Sequence, residues 1–207
     1  MTVTGNAVDR LLDDGSGYLP RADARRNVER LVTAARDVAA AVGGDITAHR
    51  IAHRAGVGIG TFYRRVGTLE TLLEAVLDEI IGEIVEKADD GLADDDPWAG
   101  FAAFAAAYIR LRNELCDINE TLGDVVGDRR GDLRDRIRLL VERAQRGGAM
   151  RADVSWQDVA FLLVGAATGE HTLGLRAGPQ QWERNLRVTL DGLRAGDVGP
   201  LPGESPR

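Results

Sequence analysis

Apolar side chains recur at the spacing of an α-helix through nearly the whole interval from residue 24 to residue 194. In the first such segment, residues 24 to 42, one helical face carries only apolar side chains. They are Val28, Leu31, Val32, Ala35, Val38, Ala39 and Val42. We find no segment with the alternation of a half-buried strand, and only 5% of the residues are aromatic. Together with the richness in Ala, Leu, Arg and Glu, this pattern predicts an all-α fold.

The totals set broad limits on the class of protein. A chain of 207 residues with 44% hydrophobic residues can bury a core in one large or two small domains. The single cysteine, Cys116, cannot form an intramolecular disulfide, and no signal peptide is recognisable at the start. The longest apolar run, 159–167, is far shorter than the roughly 20 residues of a membrane span. We therefore expect a cytoplasmic protein that does not enter a membrane.

Positive charge is concentrated near the N-terminus, although the net charge of the chain is -7. Residues 21–66 contain nine arginines and four acidic residues, a local charge of +5, so the other residues sum to -12. An asymmetry of this kind is typical of a nucleic-acid-binding segment joined to a region with another task.

Residues typical of helix caps divide the apolar pattern into separate predicted helices. Thr47 is a good N-cap for a short helix that would end at Gly56 in a left-handed C-cap. A second short helix would follow from Gly58 to Arg64 or Arg65, and Thr68 would open a long helix over 68–88. Further helices are predicted near 97–115, 118–125, 130–146, 155–174 and 179–194, and disordered tails over 1–20 and 195–207.

Three glycines, Gly56, Gly58 and Gly60, stand within five positions. A dinucleotide-binding loop would need a further glycine at Thr61 and a strand before the loop, whereas 47–55 is predicted to be helical. A helix-turn-helix explains the glycines better, since the turn uses the first and the backbone at the start of the second helix can approach DNA closely.

The segment ITAHRIAHRAGVGIGTFYRRVGTLETLLEAV resembles the DNA-binding signature of the tetracycline-repressor (TetR) family of bacterial transcription regulators. The resemblance covers about 25–76, and beyond residue 80 it is one of layout. The signature residues are Ile51, Ala52, Ala55, Gly56, Val57, Gly60, Thr61, Phe62 and Tyr63. The resemblance implies a three-helix DNA-binding domain over 21–67 and a helical effector-binding and dimerisation domain over 68–194.

The resemblance also implies which residues contact an operator. These are Thr47, Gly58, Ile59, Gly60, Thr61, Tyr63 and Arg65, with Arg64 as a further candidate. Where the family often has a basic residue to meet a phosphate, this chain has Leu69, and Arg64 or Arg65 would supply the charge. Phe62 is assigned to the core. Arg21, Arg25 and Arg26 either reach the DNA backbone or minor groove or form a solvated face.

By the same resemblance, the function is that of a ligand-responsive regulator, a repressor that binds a palindromic operator as a homodimer. The dimer would form through the helices near 155–174 and 179–194, with Val159, Leu162, Leu163, Ala166, Ala167, Gly169, Trp182, Leu186, Leu190 and Leu193. A hydrophobic or aromatic effector would bind among Trp98, Phe101, Phe104, Tyr108, Leu122 and Ile137, although the residues themselves favour packing in a closed core for most of these positions. The alternatives are an activator, a regulator without a small ligand, and an enzyme that uses the C-terminal pocket.

Residues with catalytic or metal-binding potential do not form complete sites in the sequence. His49 and His53 stand four residues apart on one predicted helix, which is half of a zinc site. The acidic run 94–96 before Pro97 favours a helix start over a calcium loop. Glu170 and His171 have no Ser or Cys motif beside them. We therefore predict no catalytic residues, no metal and no cofactor.

Overall fold

The computed structural model describes residues 6–12, 22–40, 45–122, 129–167, 171–178, 180–197, 199–203 and 205, without the side chains of 113–117, 119–122, 129, 130 and 171. The elements in chain order are α1 (Ala7–Leu12), α2 (Ala22–Ala40), α3 (Ala48–Ala55), α4 (Ile59–Val66), α5 (Leu69–Ala93), α6 (Pro97–Leu122), α7 (Arg129–Arg146), α8 (Trp156–Ala166), β1 (His171–Thr172), β2 (Leu175–Arg176) and α9 (Gln181–Leu193). Apart from the short β1–β2 hairpin, the described elements are helices, which confirms the all-α prediction. None of the helices in this part of the chain is both long and apolar enough to cross a lipid bilayer.

The chain divides into two compact units. The first contains Met1–Gly82 and Asn113–Val125, and the second contains Glu83–Arg112 and Val126–Arg207. Helices α5 and α6 each contribute residues to both units.

In the first unit, α2, α3 and α4 pack together, and we call these three helices the head. The predicted apolar face of α2 is buried, with Val28, Leu31 and Ala35 fully inaccessible to solvent. Ile51 of α3 and Phe62 of α4 are also fully buried. Burial of each large apolar side chain stabilises the fold by about 1.5–3 kcal/mol. The head therefore rests on a small core of aliphatic residues and one aromatic ring.

Helix α1 contradicts the prediction of a disordered tail for residues 7–12, whereas residues 1–5 and 13–20 lie outside the described residues. Its Ala7 and Val8 are buried, and its polar groups have partners far along the chain. Arg10 forms an ion pair with Asp78 of α5, the backbone N–H of Ala7 donates to Glu79 at 2.9 Å, and Arg25 of α2 donates to Asp9 at 2.9 Å. Local sequence gave no periodic signal because the helix is short and is stabilised by partners from other helices.

In the second unit, α5 and α6 approach each other closely at two glycines. A Cβ on Gly91 would lie 2.6 Å from the backbone oxygen of Gly100. Between the helices, Asp96 accepts hydrogen bonds from the backbone N–H groups of Trp98 (2.8 Å) and Ala99 (3.2 Å). The acidic run therefore caps α6, and Pro97 occupies its first position, as the sequence predicted.

Two predicted helix boundaries are wrong. The helices predicted near 97–115 and 118–125 form one helix, α6, as far as Leu122, because no glycine or proline interrupts the segment between them; residues 123–125 lie outside the described residues. The helix predicted over 155–174 ends at Ala166, and residues 171–176 form the antiparallel β1–β2 hairpin. Gly174, with φ of +76°, turns the chain between the two strands.

The segment predicted as a C-terminal tail is held to the second unit where it is described. Arg151 donates to the carbonyl oxygen of Gly199 at 2.9 Å, and Asp153 accepts from the backbone N–H of Leu201 at 3.2 Å. Ser205 donates to Asp158 at 3.1 Å. The hydrogen bond from Arg151 lowers the pKa of Asp153 from 3.8 to about 2. Long-range hydrogen bonds of this kind are invisible to composition, which is why the glycine- and proline-rich segment was predicted to be free.

Candidate nucleic-acid interface

The turn between α3 and α4 has the geometry of a helix-turn-helix. Thr47 caps α3 by accepting a hydrogen bond from the backbone N–H of Arg50 at 3.3 Å. Gly56 ends α3 in the left-handed conformation, with φ of +62° and ψ of +38°. Its N–H donates to carbonyl oxygens of the last turn. Both caps were predicted from the sequence and are confirmed.

The start of α4 contains two glycines that expose their backbone. Gly58 is the N-cap, and Gly58 and Gly60 are both exposed. A Cβ placed on either glycine would meet no atom within 4 Å. Neither glycine is therefore required by packing inside the subunit, nor does either have a positive φ. The N–H groups at a helix start attract anions, so this open turn can accept close approach by a phosphate backbone.

Two consecutive aromatic residues of α4 lie in opposite environments. Phe62 is fully buried, as predicted, whereas Tyr63 is 50% exposed. Their rings meet edge to face, with centroids 5.2 Å apart. The buried ring thus supports the exposed one, and the Tyr63 hydroxyl is available at the surface.

Carboxylates neutralise some arginines of the head and leave others uncompensated. Arg25 pairs with Asp9 and Glu29, Arg26 with Asp23, Arg36 with Glu79 and Arg54 with Asp37. The hydrogen bond to Asp9 raises the pKa of the Arg25 guanidinium above its ordinary value. Within the described residues, Arg30, Arg50, Arg64 and Arg65 have no carboxylate partner. These four, which we call the free arginines, carry the positive charge that the head can offer to an anion; Arg21 lies outside the described residues.

Three of the four free arginines are oriented by neutral acceptors. Arg30 donates to the carbonyl oxygen of Gly56 at 3.2 Å, and Arg50 donates to that of Asp45 at 2.7 Å. Arg64 donates to the hydroxyl of Thr61 at 3.2 Å. The Nε of Arg65 is buried and has no hydrogen-bond partner among the described residues. Arg30 and Arg50 were missed by sequence reasoning, since only the structure shows which acidic residues lie too far away to pair with them.

An open groove of about 620 Å³ lies between α2 and α3. It is lined by Asp37, Val38, His49, Arg50, His53 and Arg54. Within the described residues, no group of three or more His, Cys, Asp or Glu side chains could hold a metal ion. His49 and His53 are exposed surface residues of the head.

Four of the six residues predicted to bind an effector are buried, three of them on α6 and Ile137 on α7. Trp98, Phe101, Phe104 and Ile137 are at most 7% exposed, and Tyr108 is half-buried. The rings of Trp98 and Phe101 lie 5.7 Å apart, and those of Phe104 and Tyr108 lie 6.0 Å apart. Arg194 places its guanidinium 4.3 Å from the centre of the Trp98 ring. The side chain of Leu122 lies outside the described part, and a role in effector binding stays a prediction for all six residues.

Apolar side chains are exposed on α8 and α9, but they are not the predicted set. Val159, Leu163 and Ala166 of α8, with Leu186 and Leu193 of α9, are buried within the subunit. The exposed apolar residues are Phe161 (67%), Leu162 (44%) and Val164 (38%) on α8 and Val188 (74%) on α9. Of the predicted set, Leu162 is exposed, Ala167, Trp182 and Leu190 are half-buried, and Gly169 lies outside the described residues. The helical pattern alone could not decide which apolar stripe turns toward the subunit core.

The proteins that this chain resembles are described as transcription regulators. A sequence model described as "Transcriptional regulator SbtR-like, C-terminal domain" matches residues 98–195. The structure of a TetR transcriptional regulator from Streptomyces coelicolor is 29% identical, with a TM-score of 0.61, over 81% of this chain and 98% of that one. A TetR transcription regulatory protein from Mycobacterium vanbaalenii is 32% identical, with a TM-score of 0.58, over 84% of this chain and 98% of that one. Among curated proteins, a sequence search finds no match.

The helix-turn-helix geometry and these similarities define the class: the protein is a helical transcriptional regulator. Within that class, the chain belongs to the TetR family. Regulators of this family bind DNA and are typically dimers.

Proposed function

We propose that this protein is a homodimeric transcriptional repressor that binds a palindromic operator and is released by a small hydrophobic or aromatic effector. The observation that supports the DNA contact best is the first turn of α4. Its two glycines are exposed without a packing reason, and the exposed Tyr63 and the free arginines lie on the same small domain.

The proposed contacts follow from the chemistry of each side chain. Gly58 and Gly60 let the start of α4 enter the major groove, where Ile59 meets a thymine methyl group and Thr61 a base edge or phosphate. Tyr63, Arg64 and Arg65 suit phosphate oxygens, and Thr47 contributes its hydroxyl from the start of α3. Arg30 and Arg50 join this set because they too lack a carboxylate partner among the described residues.

Counting the free arginines gives a quantitative test of the DNA contact. If each of the four in a head neutralises one phosphate, a dimer neutralises eight, and the logarithm of the binding constant falls against that of the salt concentration with a slope of about -7. The operator is first selected from random DNA with the purified protein, and binding is then measured over a range of KCl concentrations. Arg50→Gln should make the slope shallower by about 2 per dimer, whereas Arg26→Gln, which removes an arginine already paired with Asp23, should leave it unchanged. A slope near zero, or selection of no common sequence, would reject specific duplex binding.

The dimer is supported by the exposed apolar residues of α8 and α9. Paired across a two-fold axis, two copies of these helices would bury Phe161, Leu162 and Val188 in a four-helix bundle. Phe161→Glu should convert the dimer to a monomer in sedimentation at micromolar concentration. A wild-type protein that sediments as a monomer of 22.3 kDa would reject the dimer.

The effector site is proposed along α6, among Trp98, Phe101, Phe104 and Tyr108 with Ile137. Because binding free energies are linked, an effector that weakens DNA binding must itself bind more weakly to the DNA complex by the same factor. A compound found by thermal-shift screening is titrated calorimetrically with and without the selected operator. Equal affinities would mean that the compound is not an inducer, and a reporter gene behind the operator distinguishes repression from activation.

A further inference from the structure

The tip of the β1–β2 hairpin combines a strained backbone conformation with an exposed apolar side chain, both at Leu173. Leu173 and Gly174, the two residues between the strands, both have positive φ, +47° and +76°. Such two-residue turns favour Asn, Asp or Gly at these positions, because a side chain with a Cβ is strained in the left-handed region. Leu173 is the one residue other than glycine with a positive φ in the described part of the chain.

The same leucine is almost completely exposed. Leu173 is 97% exposed and Leu175 is 67% exposed. Neither packing inside the subunit nor turn geometry therefore explains a leucine at position 173. A strained residue that also presents apolar surface to water points to a contact made with another molecule.

The position of the hairpin in the chain indicates that the molecule contacted by Leu173 is a second copy of this chain. Within the described residues, nine large hydrophobic side chains are exposed, and six of them lie between positions 161 and 188. The six are Phe161, Leu162, Val164, Leu173, Leu175 and Val188. They occupy α8, the hairpin and α9, which are consecutive elements of one compact unit. The hairpin is thus continuous along the chain with the face proposed for dimerisation.

We propose that residues 171–176 form a dimerisation arm that packs Leu173 and Leu175 against the partner subunit. This inference rests on the proposed homodimer and adds to it an element outside the helices. Contact with the partner removes both leucines from water, and this gain offsets the strain of the turn.

The test uses Leu173→Asn, which should leave the hairpin as stable or more stable but should weaken a dimer that depends on the leucine side chain. Leu173→Asn places at the turn a residue that tolerates the left-handed conformation, so a hairpin that serves only its own subunit should be unharmed or stabilised. An arm that contacts the partner should instead lose affinity, and we expect the dimer dissociation constant to rise at least tenfold by sedimentation. Leu139→Asn is the matched control, since Leu139 on α7 is also exposed, at 42%, and should leave the constant unchanged.

A photoreactive phenylalanine analogue at position 173 provides an independent readout in the full-length protein. Irradiation should yield a covalent dimer whose cross-linked peptide joins two copies. Cross-links confined to one copy, or an unchanged dissociation constant for Leu173→Asn, would overturn the arm while leaving the helical dimer in place. A wild-type monomer at all concentrations would overturn both proposals.

Discussion

An alanine Cβ at Gly91 would lie 2.6 Å from the backbone oxygen of Gly100, because α5 and α6 meet backbone to backbone at these two positions. Such a distance is much shorter than van der Waals contact, and the obstructing atom belongs to the main chain, which cannot rotate away. The pair therefore fixes the separation of the two helices on either side of the Asp94–Asp96 turn.

Gly91→Ala should destabilise the protein by about 1–3 kcal/mol through overpacking. The measurement is urea unfolding followed by circular dichroism. Gly131→Ala in α7 is the control, since a Cβ there meets nothing within 4 Å and alanine is the better helix former. Equal effects of the two substitutions would show that the close approach of α5 and α6 is not a packing constraint.

Gly60→Ala should separate stability from DNA binding. The position lies inside α4 with open space around it, so alanine should stabilise the head by about 0.5–1 kcal/mol. If the glycine serves close approach to DNA, operator affinity should fall in the same variant. Gly56→Ala should instead destabilise the head, because φ at this position is +62° and a residue with a Cβ is strained in that conformation. Retention of full operator affinity by Gly60→Ala would remove it from the interface.

Tyr63→Phe should weaken operator binding while leaving the unfolding free energy nearly unchanged. The substitution keeps the ring that contacts Phe62 and removes only the exposed hydroxyl. Loss of one hydrogen bond to a charged phosphate should cost about 1.5–3 kcal/mol in binding, measured by fluorescence anisotropy with the selected operator. Tyr63→Ala removes the ring as well and should weaken binding by at least as much. Wild-type affinity in both variants would contradict a phosphate contact.

The C-terminal segment should detach at low pH. Since the pKa of Asp153 is lowered from 3.8 to about 2, its contribution to stability is complete above about pH 4 and is lost as the pH falls through about 2. Amide exchange at Leu201, whose N–H donates to Asp153, should accelerate over this range. At neutral pH, Asp153→Ala should produce the same release, seen as faster digestion by a carboxypeptidase. Asp135→Ala, which breaks a local ion pair on α7, serves as the comparison.

Sequence reasoning succeeded where the cause of the structure is local. The Thr47 and Gly56 caps and the buried face of α2 each depend on residues within a few positions, and all were predicted. It failed where the partners are distant: Arg10 and Asp78 are 68 positions apart, and the Arg151–Gly199 and Asp153–Leu201 bonds each span 48. For the site, the resemblance supplied α4, but which arginines are free depends on where Asp9, Asp37 and Glu79 lie in three dimensions.

The hydrogen bond and the ion pair that join α1 to α5 determine where the head can be separated from the rest of the protein. Glu79 accepts from the backbone of Ala7 and pairs with Arg36 of α2, and its neighbour Asp78 pairs with Arg10. A fragment truncated after residue 67, at the end of the helix-turn-helix motif, would lack Asp78 and Glu79. Ala7, Arg10 and Arg36 would then lose these partners. A graft of this DNA-binding motif onto another protein should therefore include α5 at least as far as Glu79. The motif recognisable in the sequence is shorter than the segment whose contacts stabilise it.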